Sequence, residues 1–124
     1  MLITFFAPFA LALAQTAPSE DASPQIDSVE LTSEQRASLR CAAAFAVVAG
    51  KQEAGDRSAL QYPAMQPRGR EFFVRTAAKL IDETGASSQQ IAQLLTDESQ
   101  VVAQGDTLEQ VMSPCLLMLE ASGA

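Results

Sequence analysis

The chain has 124 residues, 48% of them hydrophobic, with eight Lys and Arg against fifteen Asp and Glu and a net charge of −7. That length suits one globular domain, and the negative balance repels nucleic acid and anionic membrane surfaces. Histidine is absent, which removes the commonest general base, the commonest neutral metal ligand and the usual sensor between pH 5 and 7.

Residues 1–14 read as a signal peptide. Leu2 to Ala14 is an uncharged, mostly apolar run, and Ala12-Leu13-Ala14 forms a small-x-small cleavage signature before Gln15. The run falls short of the roughly 20 residues that a spanning helix needs. No stable membrane insertion is expected after cleavage, and the chain should be periplasmic or secreted. No Lys or Arg precedes the apolar run, so either the n-region is minimal or the true start lies upstream. Residues 15–30 carry Pro18, Pro24 and several Ser, Asp and Glu, and read as a flexible leader.

The domain is expected over residues 31–122. Thr32 and Gln35 have capping-box spacing, with Glu34 in the first turn. Cys41, Phe45 and Val48 follow on one helical face, and alanines at 42, 43, 44, 46 and 49 favour helix and close helix–helix approach. Gly55 is the expected stop. Asp56 can cap a short helix through Leu60, which Tyr62-Pro63 ends. Pro67 suits the first turn of helix two, over Arg68–Thr84. Phe73, Ala77, Leu80 and Thr84 should line its inner face, flanked by Phe72, Thr76 and Ile81. Helix three starts at Ser87 or Ser88, with Gln90 completing a second capping box, and Gly105 closes it. Its polar centre includes Glu98 near the apolar stripe. Helix four starts at Asp106 or Thr107, with its stripe centred on Cys115. Pro114 should kink it or break it for one residue. These elements predict an all-α, small antiparallel four-helix bundle stapled by one disulfide.

An exported chain with two cysteines predicts a Cys41–Cys115 disulfide. It closes a loop of about 75 residues, worth roughly 4.5 kcal/mol in the chain-entropy model. After signal cleavage only Phe45, Phe72, Phe73 and Tyr62 remain as aromatics, so a staple has value. No catalytic set and no metal or cofactor site is expected. The carboxylate doublets Asp82-Glu83, Asp97-Glu98 and the Asp106/Glu109 pair have plainer roles on surfaces and caps. Arg68 and Arg70, at the start of helix two, are candidates for an anion or partner contact. Their plainer reading is a solvated face with Arg75 and Lys79, in which Glu71–Arg75 and Lys79–Glu83 pair along the helix. Met112, Leu116, Leu117 and Met118 are a candidate apolar partner surface. The plainer reading makes helix four the central helix, covered all round.

The sequence therefore predicts a small exported helical protein, not an enzyme, that binds another exported protein. Two alternatives are an acid-activated chaperone and a carrier of a small apolar ligand. Full protonation of the carboxylates would move the charge from −7 to +8, since the eight Lys and Arg stay charged. An exported, acidic, all-helical chain with one disulfide resembles, in architecture alone, the small periplasmic acid-stress chaperones of enteric bacteria. None of their motifs aligns here.

Overall fold

Thr32 and Gln35 start the first helix as a reciprocal pair. The Thr32 hydroxyl accepts from the Gln35 amide at 3.1 Å, and the Gln35 side chain accepts from the Thr32 amide at 2.9 Å. The computed structural model describes residues 29–124, so the expected signal peptide and nearly all of the expected leader lie outside the described residues. Five helices follow in order: α1 (Ser33–Glu53), α2 (Arg57–Leu60), α3 (Arg68–Thr84), α4 (Ser88–Val102) and α5 (Thr107–Ser122). No strand occurs among the described residues. Val29 and Leu31 before α1, and Ala124 after α5, also pack on the core.

α1 is the helix the others surround. α2, α3, α4 and α5 all pack on it. Ala42, Ala43 and Ala44 are wholly buried on successive sides of the helix, which small side chains permit without driving the neighbours apart. Phe45 meets Phe72 of α3 edge to face, with ring centroids 5.2 Å apart. The Cys41–Cys115 disulfide ties α1 to α5 across a Cα–Cα distance of 5.1 Å, with both residues buried.

Three details of the sequence reading change. α5 is not the central, fully covered helix, because Leu117 is 74% exposed. The buried face of α3 is Gly69, Phe72, Thr76 and Leu80, while Phe73 and Ala77 sit at its edge. The reason is Gly69. A Cβ there would lie 3.0 Å from Met65 Sδ and 3.3 Å from Phe45 Cβ, so the bare backbone lets the start of α3 press onto α1. Third, α5 is assigned as one helix across the exposed Pro114, so the expected alternative of a one-residue break does not occur.

The caps show why the boundaries fall where they do. Ser87 and Gln90 form the second capping box, at the start of α4. Asp56 caps α2 through the Ser58 amide at 2.9 Å. Asp106 stands at the start of α5 without capping it; its carboxylate accepts from Gln110 Nε2 instead. Gly85 turns α3 into α4 with a φ of 72°, a left-handed conformation in which a Cβ would be strained.

Candidate functional site

The basic start of α3 is built into the fold. Arg68 is half-buried and reaches α5, donating to the main-chain oxygen of Ala124 at 2.8 Å and to Glu120 at 3.0 Å. The amides of Gly69 and Arg70 donate to Met65 O, and that of Glu71 to Pro67 O. An anion at this helix start would find those three amides occupied. Arg70 is exposed and has no ion pair among the described residues. Arg68 and Arg70 thus do not act together. Further along, Glu71 and Arg75 pair at 2.6 Å, whereas Lys79 and Glu83 form no ion pair. The order of the residues accounts for this, since a carboxylate four residues before a cation is the better arrangement on a helix.

The expected apolar surface of α5 is divided. Met112 is fully buried and belongs to the core, Leu116 and Met118 are half-buried, and Leu117 faces outward. Glu98, the charge on the apolar side of α4, is 14% exposed at its side chain and pairs with Arg40 of α1 at 2.7 Å. That contact lets a carboxylate sit beside the α1–α4 seam.

Met118 also contributes to a concavity. A groove of about 600 Å³ lies where α3, the first turns of α1 and the end of α5 meet. Phe72, Leu80 and Met118 supply its apolar surface, with Thr76 and Ser38 between them. Glu34, Arg75, Lys79 and Glu83 bring charges of both signs. The groove is partly open to solvent rather than a closed cavity. Ala121 lines it too, and helical geometry sets Leu117 about 40° around α5 from Ala121. A second, more polar cleft of about 570 Å³ adjoins it, where Val29 and Glu30 pass the α3–α4 turn.

Sequence reasoning had placed Thr76 and Met118 on apolar stripes and Lys79 on a solvated face, and did not foresee that they converge. Convergence depends on the angle between α3 and α5, which no local pattern encodes. It also passed over Gln52, a half-buried residue of α1 that holds the Asp56–Gln66 segment. The Gln52 side-chain nitrogen donates to the carbonyls of Ala59 and Pro63, each at 3.0 Å, and of Tyr62 at 3.3 Å. Its oxygen accepts from the Met65 amide at 3.0 Å.

Among the described residues, one titrating group is clearly displaced. The Asp56 carboxyl lies below the usual aspartate range because the Ser58 hydroxyl and amide donate to it, with a smaller contribution from Lys51. This is a helix cap and not an acid–base centre. Among the described residues, no group of three or more Cys, Asp or Glu is placed to hold a metal ion. No described helix is long and apolar enough to cross a membrane. No family model, curated protein or solved structure matches the chain.

Proposed function

We propose that this chain is an exported, non-enzymatic protein-binding module, delivered by the signal peptide of residues 1–14 and presented on an antiparallel bundle of four long helices. The observation that carries the reading is the open groove of α1, α3 and α5, with apolar and charged groups side by side and Leu117 exposed near its edge. Protein partners favour such a surface, since an apolar centre supplies affinity and a polar rim supplies register. A carrier of a small apolar ligand would instead enclose most of its cargo. Affinity capture of the tagged chain from its own host tests the proposal. A partner retained by the native chain and lost on Leu117→Asp is expected. Retention of nothing above background contradicts the module.

A second reading, an acid-activated chaperone, is favoured by the placement of the ion pairs. Arg40–Glu98 joins α1 to α4, Lys51–Asp56 joins α1 to the start of α2, and Arg68–Glu120 joins α3 to α5. The last two are exposed and weak on their own, and the first has its Glu98 side chain mostly covered. In acid the net charge turns positive, and self-repulsion across these helix contacts then loosens the helices around the disulfide. Client-aggregation and dye-binding assays between pH 2 and 7 test this. Suppression of aggregation confined to low pH supports it, and none at any pH rules it out.

A further inference from the structure

α5 depends on its covalent tie. Its buried residues are Met112, Cys115 and Leu119, so the cysteine is itself the middle of its seat on the core. No side chain caps its start, and Pro114 removes a helical donor near its middle. Glu120 stands in its last turn, where the helix dipole disfavours an anion. Among the described residues, two polar ties join it to other elements. Arg68 of α3 reaches Glu120 and Ala124 at its C-terminal end, and Ser38 of α1 reaches the Met118 sulfur at 3.9 Å. The Arg68–Glu120 pair is exposed, and a thioether is a weak acceptor. The other helices are joined without α5. α1, α3 and α4 pack on one another. Phe45 meets Phe72, Arg40 meets Glu98, and Gln52 holds the segment after α1.

We infer that the Cys41–Cys115 disulfide is a redox latch on α5: reduced by a dithiol, it releases α5 while α1, α3 and α4 stay packed. Both cysteines are buried, so the reductant reaches them when α5 lifts. A thiolate of the dithiol attacks one sulfur of the Cys41–Cys115 bond, and the other sulfur leaves as a thiolate. The second sulfur of the dithiol then attacks the mixed disulfide and frees the first cysteine. Two electrons and two protons pass to the protein, and the dithiol ends as its own disulfide. Released α5 also loses its helix, because 16 residues with an interior proline and no side-chain cap are marginal in water. Met112 and Leu119 become exposed, and the groove loses the wall that Met118, Ala121 and Ser122 form. On the binding-module reading, a partner seated there is released with it.

The test follows hydrogen exchange of the full chain, segment by segment, in the linked form and after reduction with dithiothreitol in native buffer. The double variant Cys41→Ala/Cys115→Ala is measured beside them. Unlinked, the α5 amides should exchange about a hundredfold faster, while those around Phe45, Phe72 and Ile91 stay within about threefold of the linked chain. An α5 that remains protected after reduction overturns the latch, and so does loss of protection in all helices together. The rate at which dithiothreitol reduces the native chain tests the same point without the double variant. Leu119→Ala loosens α5 and should speed reduction about tenfold, whereas Gln52→Leu should change it by less than about twofold. Gln52 directs its side-chain hydrogen bonds to residues 59–65 and not to α5. Equal acceleration by both variants means that reduction waits for the whole fold to open, and overturns the latch, as does no acceleration by Leu119→Ala. Affinity capture tests the module separately, so either claim can fail without the other.

Discussion

Gln52 shows how much a single side chain can organise. The segment from Asp56 to Gln66 has one four-residue helix and no apolar stripe, so its backbone groups need partners from outside. One amide side chain on α1 supplies donors to three of its carbonyls and an acceptor for the Met65 amide. Gln52→Leu should destabilise the fold by about 1–3 kcal/mol, because those groups lose partners in a partly buried place. Urea unfolding gives the size, and faster hydrogen exchange at Met65 gives the location. Asp56 acts at the other end of the same segment. Its carboxyl is depressed by the Ser58 hydroxyl and amide. A depressed carboxylate stabilises the folded state above the ordinary aspartate range of about 4, and the contribution is lost as pH falls through its folded value. The Ser58 amide resonance should therefore shift below about pH 4 in the native chain, and stay flat in Asp56→Asn, which keeps an acceptor without titrating.

Elements were legible where the signal was local. Two capping boxes, the Asp56 cap and the left-handed Gly85 all stand in the sequence as spacing or residue type, and the helices start or stop there. The inner face of α3 was less legible, because its position depends on Gly69 allowing contact with Met65 and Phe45, residues far off in the chain. Asp106 looked like a cap, yet its backbone, at φ −97° and ψ 10°, lies outside the extended conformation that directs a capping side chain at the helix. The cysteines were legible because each stood in the middle of an apolar stripe. Their link joins the central helix to α5, and replacing both with alanine should lower stability by about 4 kcal/mol. That is a large part of the ~5–15 kcal/mol typical of a domain. Both residues are nearly inaccessible, so reductant should break the link only as the fold opens. An unchanged urea midpoint in the double variant would contradict this role.

At the scale of the molecule, stability and recognition occupy different places. α1 is wrapped by the other helices and offers the outside mainly its first turns. Those turns meet α3 and α5 in the groove, while the enclosed polar side chains of the core are satisfied. Such an arrangement has a clear use if another molecule completes it. The most direct measurement is photo-crosslinking with a diazirine side chain at Ala121, on the groove, and at Val101, an exposed residue of α4 that does not line it. In the native host, a discrete crosslinked polypeptide is expected from position 121, diminished by Leu117→Asp, with none from position 101. Absence of any adduct at 121, or the same adducts from both positions, would contradict the account.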